Sequence, residues 1–433
     1  MRHCLKSLDE VHRTIPVLDH FRWWQKLLAF TGPGYLVAVG YMDPGNWATD
    51  LAGGSKFGFS LLSVILISNF LAILLQHLAI KLGVVTGRDL ASISHRYPSV
   101  LRRFLWIMAE IAITACDLAE VIGSAIALNL LFKIPLFLGV LITSADVLLL
   151  LFLQRRGLRY LEAVVICLIG VILVSFGIEI VLSRPDIMAL LKGYIPSPQI
   201  IFNVEELYIA IGILGATVMP HNLYLHSALV QSRNFRRSDK SKKEAITYAS
   251  IDSVIALTLA LLVNSAILIL AAATFYKNGL SGVAEIGEAH RLLSPLLGTG
   301  LAGFLFAVAL LASGHNSTIT GTLAGQVVME GFVRIKLAPW QRRLLTRLMA
   351  IVPALIIIWF YGDGGLAKLL IFSQVVLSMQ LPFAVIPLVL STSDKKLMGK
   401  FANGPWLTKT AWVVAGVITG LNVYLIVKTF GGL

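Results

Sequence analysis

Proline sits in the middle of two apolar stretches that are each long enough to cross a bilayer. One lies in Asp43-Pro44-Gly45-Asn46, the other in Met219-Pro220-His221-Asn222. Proline lacks the N–H that a helix interior needs, and its ring clashes with the carbonyl four residues back. Each stretch is therefore expected to form two half-helices with a non-helical joint between them. At membrane depth such a joint is tolerated only where protein buries it or where it lines a cavity.

The rest of the chain fits a bilayer. Its 433 residues are 57% hydrophobic and 14% charged, against about 25% charged in soluble domains. Eleven apolar spans of about 20 residues are expected, near 28–51, 59–84, 101–130, 135–153, 159–183, 205–231, 246–276, 294–333, 341–361, 364–392 and 407–430, the eighth with a surface extension. The fold class is an all-α polytopic membrane protein, with a single transmembrane domain over 28–433. Residues 1–27 are too polar for a signal peptide and read as a short tail, with Trp23 and Trp24 at the lipid–water interface. Cys4, Cys116 and Cys167 have no metal-type spacing, and the latter two read as small core residues.

The formal charge is +13, and its distribution accounts for it. About 28 of the 36 Lys and Arg residues lie in the tail and in the connections after even-numbered spans, with 8 on the other side. The connection after span six alone carries Arg233, Arg236, Arg237, Lys240, Lys242 and Lys243. The positive-inside rule puts the N-terminus in the cytoplasm, and an odd number of spans puts the C-terminus outside. A nucleic-acid partner is not needed to explain the basic charge, and no obligate protein partner is evident.

The joints fall in spans one and six. A repeat of five spans is odd, so the second copy is inverted relative to the first. This is the five-plus-five inverted repeat of transporters, whose broken first helices build a site at the midplane. Repeat one covers about 28–183, repeat two about 205–392, and 407–430 is an extra helix.

Asp43 is an ionisable group near the bilayer centre, which marks a functional site by default; the plainer alternative is a helix cap. Asn46 offers a side-chain carbonyl or caps the second half-helix. Unwinding frees backbone carbonyls near Gly40 and Ala216. Met219 is a thioether, a poor ligand for Mg or Ca and a better one for softer ions; otherwise it is core filler. Oxygen donors with one sulfur suit Mn(II), Fe(II) and neighbouring divalent ions. His221 has an ordinary pKa near physiological pH, which suits proton handling, ligation or support of the site; His226 has a similar range of roles. In span three Asp117 and Glu120 share a helix face and suggest an aqueous route or proton relay, or else salt-bridged structural acids. Arg233 could pair with them. Gln374 is a further ligand or makes an interhelical hydrogen bond. The window Ser313-Gly314-His315-Asn316-Ser317-Thr318 in span eight lines a pathway or packs closely.

These motifs resemble the Nramp family of proton-coupled divalent-metal transporters, and within it the bacterial manganese transporters. The likeness rests on Asp43-Pro44-Gly45-Asn46, Met219-Pro220-His221, Asp117-Leu118-Ala119-Glu120 and the stretch from Ser313 through Gly321 to Gln326. It covers nearly all of the chain after the tail. The resemblance implies a leucine-transporter-like fold. It implies Asp43, Asn46, Met219, the carbonyls of Gly40 and Ala216 and, in some states, Gln374 as ligands of a transported metal. It implies a proton pathway through Asp43, His221, Glu120, Asp117 and Arg233. The expected activity is proton-coupled import of Mn(II), also Fe(II), across a plasma membrane, a bacterial inner membrane by this likeness. Metal and proton are cargo, and no prosthetic cofactor is implied. His315-Asn316 departs from the Gln-Ser or similar pair of many relatives.

Two other readings make distinct demands. A sodium-coupled amino-acid carrier on the same fold would leave Met219 without a role and set Asp43 against a substrate carboxylate. An intramembrane metal hydrolase using His221, His226 and Asp43 would lack any His-Glu-x-x-His motif.

Overall fold

The computed structural model describes residues 7–8, 11–143, 156–333, 339–361 and 365–430. Cys4 and the 144–153 part of expected span four lie outside these residues. The described chain is helical apart from one short parallel pairing, Ile15–Pro16 (β1) with Arg233–Asn234 (β2). Among the described residues eight helices are long and apolar enough to cross a membrane, so this is a multi-pass membrane protein. They include span two at Leu62–Thr86, span three at Ser99–Phe132, span five at Leu158–Ser183 and span seven at Asp239–Thr274. Spans eight, ten and eleven follow at Gly300–Phe332, Leu366–Ser393 and Pro405–Phe430. The surface extension expected within the eighth segment, 294–333, is the end of a separate helix, Ile286–Leu297, which begins before that segment and is closed by Gly298 at φ 70°. Span nine is Pro339–Tyr361, and span four is helical over Leu136–Thr143 as far as it is described.

Span one is cut twice. Trp23–Phe30 and Pro33–Ala38 are separated at Gly32, and a 3-10 turn at Gly40–Met42 precedes the second half-helix Pro44–Phe57. Span six runs as Val204–Val218 and then Pro220–Leu229. Both proline interruptions therefore occur where the sequence places them. The broken spans lie together at the centre, enclosed by spans three, seven, eight and ten. Trp23 and Trp24 stand exposed at the start of span one, as an interfacial anchor requires.

Candidate functional site

Each proline frees the carbonyl four residues earlier, and those carbonyls find new partners. Pro44 cannot bond Gly40, whose carbonyl instead accepts from the N–H of Asp43 at 3.3 Å. Pro220 cannot bond Ala216, whose carbonyl accepts from Asn46 Nδ2 at 3.0 Å. The orphaned carbonyl of one broken span is thus tied to the side chain of the other. Glycine permits close packing beside both joints. A Cβ on Gly40 would press on Asn222 Nδ2 and lie 3.2 Å from Met219 Sδ, and a Cβ on Gly45 would overlap the Gln374 amide.

Asp43 is both a helix cap and a buried carboxylate with one unbonded oxygen. It is the N-cap of Pro44–Phe57, with Oδ1 accepting from the N–H and the Nδ2 of Asn46, each at 2.8 Å. Its Oδ2 is buried and has no hydrogen-bond partner among the described residues. Asn46 turns its amide nitrogen to Asp43 and Ala216, while its Oδ1 accepts from Asn264 Nδ2 at 3.4 Å. Met219 is fully buried, and its Sδ receives Asn222 Nδ2 at 3.6 Å. Gln374 donates to Ser373 Oγ at 3.2 Å, and its Oε1 is likewise buried with no hydrogen-bond partner among the described residues. Carboxylate, amide, carbonyl and thioether therefore converge on the meeting point of two broken helices. Buried polar atoms are normally paired, and Asp43 Oδ2 and Gln374 Oε1, with Asn222 Oδ1 and Asn264 Oδ1 also unpaired among the described residues, are hard donors suited to a divalent cation.

His221 is buried beside this centre with neither ring nitrogen bonded among the described residues. His226 has a clearer role. Its Nδ1 donates to Gln76 Oε1 at 2.9 Å, and Gln76 Nε2 donates to the Tyr41 hydroxyl at 2.7 Å. The Tyr41 carbonyl in turn accepts from Asn264 at 2.8 Å. Gln76 and Asn264 are polar groups in apolar spans, so the rule that singles out Gln374 applies to them as well. The same holds for Asp50 and Glu179, buried carboxyls in spans one and five that sequence reasoning did not single out.

Asp117 and Glu120 are buried and face span eight, where a Cβ on Gly321 would lie 2.7 Å from Glu120 Oε1 and 3.2 Å from Asp117 Oδ1. Arg233 does not pair with them. It is fully buried and bonds Glu162 of span five at 2.7 Å, with its guanidinium also on the carbonyls of Ala29 and Thr31 at 3.0 and 2.7 Å. These carbonyls lie exposed by the first cut in span one, so a guanidinium with five donors suits them better than a second acid. Asp252 completes the clasp by accepting the N–H groups of Gly32 and Gly34 at 3.1 and 2.7 Å.

The polar window of span eight serves the broken helix. Ser313 donates to the Met42 carbonyl, and Thr320 donates to the Leu36 carbonyl at 2.8 Å, both left open by the interruptions. Asn316 reaches Val165 of span five at 3.4 Å, and His315 bonds its own helix at Leu311. On the side away from the tail, Trp47 packs against Phe176 at 4.9 Å and Phe306 at 5.1 Å between ring centres. Beyond Phe306 lies a cavity of about 440 Å³ lined by Asn129, Glu288, His290 and Ser294 among others.

Comparison with known proteins agrees with this architecture. Residues 34–428 match the family model described as natural resistance-associated macrophage protein-like, or Nramp. A protein of Listeria innocua named divalent metal cation transporter MntH is 60% identical over 99% of this chain and 96% of its own length. The solved structure of a manganese transporter from Eremococcus coleocola superposes with a TM-score of 0.89 at 44% identity, covering 96% of this chain and 90% of that one. MhsT, solved with L-phenylalanine, shares the fold alone, at a TM-score of 0.60 and 13% identity over 92% of this chain and 98% of that one. The fold is thus leucine-transporter-like. By the extent of the family match and the identity to its relatives, the chain belongs to the Nramp family.

Proposed function

We propose that this protein imports divalent transition-metal ions, Mn(II) foremost and Fe(II) and related ions with it, by alternating access coupled to protons. The observation that carries the reading is the pair of unpartnered buried oxygens, Asp43 Oδ2 and Gln374 Oε1, beside Met219 at the joint of two broken helices. The names of the Listeria and Eremococcus relatives point the same way. An incoming ion meets Asp43, Met219 and the carbonyls of Gly40 and Ala216. Asn46 joins by turning its amide, so that its oxygen replaces the nitrogen now facing Asp43. A dication favours the ionised carboxylate, so metal arrival expels a proton from Asp43. His221, Asp117 and Glu120 carry it towards the tail side. The charge bias of the connections makes that side cytoplasmic, with the C-terminus outside. The membrane potential assists inward movement by about 2.3 kcal/mol per charge per 100 mV.

The test is Mn(II) uptake into proteoliposomes with an internal pH dye. Wild type should take up Mn(II) and acidify the lumen, and Asp43→Ala should do neither. Met219→Ala should keep Mn(II) uptake but become open to competition by Ca(II) or Mg(II), because the sulfur that disfavours hard ions is gone. Uptake by Asp43→Ala at the wild-type rate would sink the reading.

A further inference from the structure

The tail is fastened across the face where span six ends. Arg13 donates its N–H to the Gln231 carbonyl at 3.0 Å, and Val17 donates to the Asn234 carbonyl at 3.0 Å. Between them β1 pairs with β2, Ile15 opposite Arg233 and Pro16 opposite Asn234. Further towards the N-terminus, the Leu8 N–H donates to Glu330 Oε2 of span eight at 2.9 Å, and Ser7 Oγ lies 3.5 Å from Ser92 Oγ. Leu8 and Ile15 are buried, at 4% and 7% exposure, in the main core. A terminal segment with backbone pairing and buried apolar side chains is far more ordered than a terminus normally is.

Two features make this segment a device and not a passive cover. Its anchors belong to different elements: one end is paired to the end of span six, the other to span eight and the short helix Leu90–Ile93 that carries Ser92. Leu8 and Arg13 also adopt left-handed backbone, at φ 55° and 56°, which is costly for residues with a Cβ. The anchored segment thus carries backbone strain at these two residues. Arg233 links the segment to the transport machinery, since its backbone pairs with the tail while its side chain holds the first cut of span one.

We propose that the tail, through Ser7, Leu8 and residues 11–17, is a latch that holds the inner mouth closed and detaches from span eight when the end of span six swings away. This rests on the reading that spans one and six move during transport. It makes the tail a regulatory element: whatever detaches it raises the inward-open population.

Two measurements test the latch. In protein with Cys4, Cys116 and Cys167 replaced by serine, Ser7→Cys with Ser92→Cys should cross-link on mild oxidation. Mn(II) uptake should then fall about tenfold and return on reduction, as a locked two-state element demands. Failure to cross-link, or uptake unaffected by the cross-link, overturns the proposal. Separately, deletion of residues 1–17 should speed labelling, from the tail side, of a single Ser227→Cys thiol about tenfold, Ser227 being buried near the end of Pro220–Leu229. Unchanged labelling overturns the latch whether or not the protein carries metal. If the reduced double-cysteine protein moves no Mn(II), the transport reading fails, and the labelling comparison decides the latch by itself.

Discussion

At the scale of single residues, the chemistry at the centre follows from what bilayer depth does to polar groups. Asp43, Asn46, Met219 and Gln374 stand out in the sequence because apolar surroundings make each of them costly or conspicuous. The structure buries all four beside the two joints, Asn46 on Asp43, Met219 against Gly40 and Gln374 against Gly45. What escaped the sequence is pairing. Arg233 and Glu162 are separated by 71 positions, and nothing in either neighbourhood says that they meet. Removing one partner from a buried ion pair leaves an uncompensated charge, at a cost of about 3–5 kcal/mol. Glu162→Leu should therefore lower the melting temperature of the detergent-solubilised protein sharply, whereas Glu162→Gln, which keeps an acceptor for the guanidinium, should lower it less. Equal melting of the two variants would show that the pair does not hold the clasp together. Gly45→Val tests the close approach to Gln374. On the proposed reading, in which Gln374 is a ligand, it should weaken Mn(II) binding in calorimetry at least about tenfold, since the side chain would displace the Gln374 amide.

At the scale of elements, the two proline joints are the organising feature. The sequence predicts both, and the span limits agree with the helices to within a few residues at most ends. Two departures have local causes. Span seven starts at Asp239, capped by Ser238 Oγ on the Ser241 N–H at 3.2 Å, so its polar first turns extend beyond the apolar stretch that marks the span. The cut at Gly32 was not foreseen because Gly32-Pro33 lies near the start of span one, where an end is as natural as a break. Proline's function at the second joint is to deny Ala216 its helical partner, and Pro220→Ala supplies that partner. The carbonyl then returns to its own helix and Asn46 loses its acceptor. Mn(II) uptake by Pro220→Ala should fall well below wild type, with the helix content by circular dichroism unchanged or slightly higher. Wild-type uptake would mean that the joint persists without its proline.

For the whole molecule, topology and charge were open to the sequence while contacts were not. Hydropathy marks spans because a bilayer demands about 20 apolar residues for each crossing. The cation asymmetry should place an epitope tag added after residue 433 outside intact cells, detectable by antibody without permeabilisation, and a tag at residue 1 inside. A tag after residue 433 that is seen only after permeabilisation would reverse the direction assigned to transport. The amino-acid sequence alone determined the broken spans, their odd spacing and the donor types, since proline and burial cost act locally and irrespective of partners. Only the tertiary structure decided which groups meet. Arg233 takes Glu162 and not the acids of span three, Asn46 takes the carbonyl that Pro220 frees, span eight serves the carbonyls of span one, and the tail spans two elements. Hydrogen bonds and ion pairs are contacts of a few ångströms between residues distant in sequence, and their choice depends on how the helices pack.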